Sequence, residues 1–205
     1  MIFDTHAHYY DDAFDPDRDA LLSALPERGV DLVVCPGCDL ESSRAALDLA
    51  ERYGYIYAAV GFHPENLEGA ALTDLDQVRA LAAHPKVKAI GEIGLDYYWK
   101  EVPRDLQKEV FRAQLQLAKV LDLPVIVHDR EAHADCLAIV REFPGVRGVF
   151  HCYSGSAEDA KTLVKLGWHL SFTGTITFKN ARKAPEVIAA VPLERIMVET
   201  DAPYM

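Results

Sequence analysis

The chain has 205 residues, of which 32 are acidic and 21 basic, for a formal net charge of −11 at pH 7. That balance has the wrong sign for a protein that grips duplex nucleic acid through a broad basic face, and no apolar run approaches the length needed to span a bilayer. No Ser/Gly/Pro-rich linker or low-complexity stretch divides the chain, so residues 1–205 are expected to form a single domain with ample material for a core.

Eight short apolar runs, most rich in Val, Ile or aromatics, follow one another along the chain: Ile2–Thr5, Val30–Pro36, Tyr55–Gly61, Val87–Ile93, Leu123–His128, Val146–His151, Trp168–Phe172 and Arg195–Thr200. Several are continuously hydrophobic rather than alternating, as parallel strands covered on both faces require. The segments between them carry helix punctuation. Asp17–Arg28 ends at Gly29, Leu40–Tyr53 ends at Gly54, and Ser156-Ala-Glu-Asp159 opens a stretch closed by Gly167, with Ser caps at the start and Gly at the end. From Asp105 to Asp122, Leu106, Val110, Ala113, Leu117 and Leu121 fall on one expected helical face. Eight βα units without a dinucleotide-type Gly fingerprint after the first strand favour a (β/α)8 barrel of TIM type over an open doubly wound sheet.

On that frame the polar residues gather at one end. His6 and His8 close the first strand, where residues i and i+2 share a side. His63 follows the third strand, Glu92 ends the fourth, His128 and His151 close the fifth and sixth, and Asp201 follows the eighth. All are at carboxyl ends of strands, where the loops of such a barrel build its active site, and imidazole with carboxylate is a metal-ligating mixture. His84, in a polar turn before Pro85, and His169, inside the seventh strand, fit ordinary roles better. His133 belongs to the helix after strand five, beyond the lumen.

Six segments, Asp4-Thr-His-Ala-His8, Gly61-Phe-His-Pro64, Gly91-Glu-Ile-Gly-Leu-Asp-Tyr97, His128-Asp-Arg-Glu-Ala132, His151-Cys-Tyr-Ser-Gly155 and Glu199-Thr-Asp-Ala-Pro-Tyr204, resemble the successive motifs of the TatD-type metal-dependent deoxyribonucleases of the amidohydrolase superfamily. The resemblance runs from the first residue to the last. It implies a distorted (β/α)8 barrel, divalent metal ions and hydrolysis of phosphodiester bonds in DNA. Carried over to this sequence, it makes His6, His8, Glu92, His128, His151 and Asp201 the ligands and His63 a neighbour that touches substrate phosphate or solvent. The family continues through a helix packed over the eighth and first strands, whereas this chain stops at Met205, so the resemblance implies a barrel whose closing helix is absent from it.

The chemistry asks for the same residue types. A phosphodiester is anionic, so a site must neutralise it while acidifying a water, which two divalent ions do together. Glu92 is expected to bridge one ion held by His6, His8 and Asp201 and a second held by His128 and His151, with zinc, manganese or magnesium as candidates. Asp201 is also the expected proton acceptor, and Glu199, two residues earlier, an acceptor that orients a histidine. Local cations on the active-site loops (Lys100, Arg104, Arg130, Lys179, Arg182 and Lys183) suit a single strand or strand end, and one of Tyr97, Tyr98 and Trp99 is expected to stack on an unpaired base. Tyr97, Arg130, Lys179 and His63 are thus the candidate substrate contacts.

Two other functions fit less of the sequence. The same barrel and metals can cleave a C–N or ester bond in a small metabolite. Cys35-Pro-Gly-Cys38, between the second strand and a helix, matches the placement of a thiol-redox pair. Cys152 is expected to face away from the lumen, into the core. Four thiols without disulfide-rich character, and an N-terminus that enters a strand without a charged-then-apolar leader, suit a reducing cytoplasm. No obligate protein partner is expected.

Overall fold

All eight expected strands are present in the computed structural model, which describes residues 1–67 and 72–205. They are β1 (Ile2–Asp4), β2 (Val30–Pro36), β3 (Ile56–Val60), β4 (Val87–Asp96), β5 (Val125–Arg130), β6 (Gly148–Phe150), β7 (His169–Phe172) and β8 (Ile196–Val198). All pair in parallel, in chain order, in one sheet. Between them lie α1 (Arg18–Ala24), α2 (Leu40–Arg52), α3 (Leu75–Ala82), α4 (Arg104–Leu121), α5 (His133–Arg141), α6 (Ala157–Lys165) and α7 (Lys183–Ala190). The (β/α)8 expectation therefore holds. None of the described helices is long and apolar enough to cross a membrane.

The sheet closes through the segments that leave β1 and β8. Asp201 N donates to His6 O at 2.8 Å, His8 N to Ala202 O at 2.8 Å, and Thr5 N to Val198 O at 3.3 Å. Asp4 adds a side-chain clasp: Oδ1 accepts from the amides of Thr200 (3.0 Å) and His6 (3.3 Å), and Oδ2 accepts from Thr200 Oγ1 at 2.7 Å. The seam thus runs through the residues flanking His6 and Asp201.

Apolar burial occurs on both sides of the strands, as their continuous hydrophobicity demands. The large cluster, with Phe111, Leu115, Phe150, Trp168 and Leu170 at its centre, packs the strands against the helices. A separate small cluster takes Ala59, Ala89, Ile126 and Val149, one from each of β3 to β6. Ile126 and Val149 lie two residues before His128 and His151, on the same side of the chain, so this cluster floors the lumen below the histidines.

Three local expectations are corrected. Asp17–Arg28 is not one helix: α1 stops at Ala24, Pro26 cannot donate an amide into a continuing helix, and a 3-10 turn at Pro26–Arg28 ends on left-handed Gly29. The buried face of α4 is rotated from the expected apolar row onto Gln107, Val110, Phe111, Gln114, Leu115, Leu117 and Ala118, while Leu106 and Leu121 are only half-buried. Those two glutamines are buried because they act as backbone. Gln114 accepts from Phe62 N at 2.8 Å and donates to Phe62 O at 3.0 Å, and Gln107 does the same for Asp96 at 2.8 and 2.9 Å. The third correction is β4, which runs on to Asp96, pairing Gly94 with His128 and Asp96 with Arg130. Gly94 permits this because its φ is 145° and a Cβ there would lie 2.0 Å from His128 O.

Candidate metal centre

Glu92 reaches the lumen through an irregularity in β4. Between the pairs Ile90–Val125 and Ile93–Val127, β4 spends one residue more than β5, a bulge of the kind that re-aims a side chain. The carboxylate it presents is buried among five imidazoles. Oε2 lies 3.2 Å from His6 Nε2 and 3.6 Å from His8 Nε2, whereas Oε1 lies 2.8 Å from His151 Nε2, 2.9 Å from His128 Nδ1 and 3.4 Å from His63 Nε2. Asp201 completes the first group, its Oδ1 3.6 Å from Nε2 of both His6 and His8. Asp201 has a φ of 54°, a left-handed conformation costly for a side-chain-bearing residue and held by the seam hydrogen bonds.

Outer contacts flank four of the five rings. His8 Nδ1 donates to Tyr10 Oη at 2.8 Å, and that hydroxyl donates onward to Cys38 Sγ at 3.5 Å. The resulting tautomer turns the His8 Nε2 lone pair into the site. Arg18 fixes the loop that carries Tyr10, donating to the carbonyls of Tyr9, Tyr10 and Asp11. His128 Nε2 donates to Asp96 Oδ2 at 2.8 Å, and Asp96 Oδ1 accepts from the amides of Tyr98 and Trp99. His151 Nδ1 faces Glu199 Oε1 at 3.6 Å, with that carboxylate held by Ser171 Oγ (2.6 Å) and Cys152 N (2.6 Å). His63 Nδ1 accepts from Glu65 N at 3.2 Å, which leaves Nε2 as the protonated nitrogen.

Electrostatics follow from this packing. Burial opposes charge on Glu92, yet the surrounding His151, His6 and His63 hold its carboxyl well below the usual range. Burial also works against protonation of His151, but Glu92 and Glu199 raise it well above a free imidazole. His128 is raised against its burial by Asp96 and Glu92. For Asp96, burial is outweighed by the bond from His128 and the Trp99 amide, which hold the carboxyl at about 2. His63 goes the other way: burial first, then His128, bring it down to about 4.

These residues suit divalent ions. His6, His8 and Glu92 offer ligand atoms within 4.8 Å of one another, as do Glu92, His128 and His151. His6 Nε2 and His8 Nε2 lie 2.9 Å apart, two nitrogens converging on one point. The buried Nδ1 atoms of His6 and His151, which have no hydrogen-bond partner, sit on the ring edges opposite the Nε2 atoms that face Glu92.

All six expected ligands and His63 therefore converge. Of the candidate substrate contacts, Arg130 lines the cavity with Trp99, and its guanidinium sits 4.0 Å from the Tyr98 ring. Tyr97 is turned toward the helices, its hydroxyl bonded to Asp135 and its ring stacked by Arg104 at 4.1 Å. Lys179 is exposed and, like Tyr97, does not line the cavity. Cys152 corrects its expectation: β6 ends at Phe150, the backbone turns left-handed at Cys152 (φ 43°), and the residue lines the cavity. The redox pair is unsupported, because Cys35 is fully buried and burial pushes its thiol up to about 12, the reverse of what thiol exchange needs. Sequence reasoning missed Asp4, Tyr10 and Asp96. Asp96 had a signal, since 92 and 96 share the parity of one strand face.

A family model described as TatD related DNase matches residues 3–205. YabD of Bacillus subtilis, named an uncharacterized metal-dependent hydrolase, is 42% identical, covering 100% of this chain and 81% of its own. A protein of Cronobacter turicensis named 3'-5' ssDNA/RNA exonuclease TatD is 35% identical, covering 100% of this chain and 79% of its own. The crystal structure of YjjV, a TatD homologue from Escherichia coli, superposes with a TM-score of 0.91 at 37% identity, covering 100% of this chain and 80% of that one. With its motifs in order and their side chains gathered at one barrel mouth, the chain belongs to the TatD-related DNase family, as a metal-dependent hydrolase.

Proposed function

We propose that this protein hydrolyses phosphodiester bonds in nucleic acid, removing nucleotides from the end of a single DNA strand in the 3'-5' direction with two divalent ions. The observation that carries the reading is the split carboxylate of Glu92, one oxygen toward His6 and His8 and the other toward His128 and His151. With Asp201, those residues would hold the pair of ions, zinc, manganese or magnesium. Bound there, such ions supply positive charge against the phosphate and acidify a water.

The protein's own groups do the rest. Asp201 accepts the proton of the attacking water, being an acceptor-only carboxylate at the rim of the lumen. His63 stays neutral and donates Nε2–H toward a phosphate oxygen. Arg130 offsets backbone charge at the mouth. The cavity they share measures about 660 Å3, which suits one strand rather than a duplex. The name of the Cronobacter turicensis relative supports the same substrate class.

The test is metal-reconstituted protein on end-labelled single-stranded, duplex and RNA oligonucleotides, beside a panel of amides and lactones. Linear single-stranded DNA should shrink one nucleotide at a time, EDTA should stop it, and added metal should restore it. Turnover of an amide or lactone with none of DNA would overturn the phosphodiester reading. Cutting of covalently closed single-stranded circles at the rate of linear strands would overturn its end-directed part.

A further inference from the structure

Beside the metal-centre cavity lies a second one of about 360 Å3, lined by Glu65, Trp99, Glu101, Val102 and Gln107. Glu65 and Trp99 line both. The smaller cavity has two carboxylates and no cation in its wall, so it disfavours a phosphate. It has instead a large aromatic ring, and 47% of Trp99 is exposed, although burying that surface is favourable. From its composition the cavity suits a flat, uncharged heteroaromatic group with hydrogen-bond donors on its edge.

We infer that this cavity is a nucleobase subsite that stacks one base of the strand on Trp99 and favours bases bearing an exocyclic amino group, through Glu101. The inference deepens the nucleic-acid reading above and rests on it. Selectivity comes from the acceptor-only character of a carboxylate. Cytosine, adenine and guanine each carry an exocyclic amino group that can donate to it, whereas thymine and uracil carry none and offer only an imide N–H flanked by two carbonyl oxygens. Gln107 does not soften this choice, because its amide is committed to Asp96 N, Asp96 O and Val102 O. Glu101 is held by its Oε2, which accepts from Lys100 N at 2.8 Å.

The subsite is also in register with the chemistry. Trp99 N donates to Asp96 Oδ1 at 3.0 Å, and Asp96 Oδ2 accepts from His128. One carboxylate therefore fixes both the stacking residue and a metal-site imidazole. Tyr98 buttresses the indole edge-on, with ring centroids 4.9 Å apart.

The chain has two tryptophans, and the other, Trp168, is 1% exposed, so two indole N–H resonances in a 15N-labelled sample separate the cavity from the core. Titration of the full chain with deoxycytidine and with thymidine uses probes without phosphate, and Trp99→Phe assigns the signals. The Trp99 resonance should shift saturably while Trp168 stays still, with deoxycytidine half-saturating at a roughly three- to tenfold lower concentration than thymidine. Glu101→Gln should bring that ratio close to one, the unmoved Trp168 signal reporting an intact fold. A Trp99 signal that neither nucleoside moves, or equal half-saturation by both, overturns the subsite. Failure of the oligonucleotide assay with selective nucleoside binding intact would strike the hydrolysis reading alone.

Discussion

Asp96 holds one edge of His128 and so aims the other: its Oδ2 accepts from Nε2 at 2.8 Å, while Nδ1 of the same ring faces Glu92 at 2.9 Å. Partners of this kind fix the tautomer and orientation of a ligand and typically change metal affinity by roughly 10–100-fold. Asp96→Ala should therefore weaken the binding of one of two ions by about that factor, as read by titration calorimetry, with the barrel's circular dichroism unchanged. Two ions bound as tightly as in the parent would remove Asp96 from the metal site's support.

Ligands and charge contacts should separate in kinetics. His128→Ala or Asp201→Asn should lower turnover by roughly 10²-fold or more, because each removes a group needed in the transition state. Arg130→Ala should instead raise KM and flatten the dependence of binding on salt. If the ligand substitutions left turnover intact and the arginine substitution abolished it, the roles would be reversed.

Metal binding should release protons and tighten as pH rises. His128 and His151 are raised above the ordinary imidazole value without an ion, by Asp96 with Glu92 and by Glu92 with Glu199 respectively. A raised imidazole holds its proton to higher pH than a free one, and a metal ligand must give it up. Affinity is therefore lowest below the raised values and levels off above them. Calorimetry at neutral pH in buffers of different ionisation enthalpy should record net proton release, reduced in His151→Asn. Zero release in every buffer would contradict the protonation of these rings.

Gln114 should matter for stability out of proportion to its distance from the site. Gln114→Leu leaves Phe62 N and O, paired at 2.8 and 3.0 Å in the parent, buried without partners, at roughly 1–3 kcal/mol for each unsatisfied group. Chemical denaturation should show a loss of roughly 2–6 kcal/mol for the two groups together, with the m-value unchanged. A loss below about 0.5 kcal/mol would mean the Phe62 backbone finds other partners.

The sequence by itself determined the architecture and brought the candidate metal ligands to one rim. Val30–Pro36 is a strand with the expected bounds, because a continuous apolar run between helix punctuation has few other solutions in a two-faced sheet. His6, His8, Glu92, His128, His151 and Asp201 were legible for a related reason: a barrel sends the carboxyl end of every strand to one rim, so strand order already groups them. Tertiary structure decided what depends on a partner distant in the chain. The face of α4 turned because Gln107 and Gln114 found backbone groups 11 and 52 residues away to satisfy, a gain that hydrophobic periodicity does not encode. Cys152 entered the cavity because its strand ended two residues earlier and the chain turned left-handed. Asp4, Tyr10 and Asp96 acquired their roles only when the closing seam, the loop after β1 and the extended β4 brought a hydrogen-bonding atom to within about 3 Å of each, and such directional contacts are set by three-dimensional register rather than by spacing along the chain.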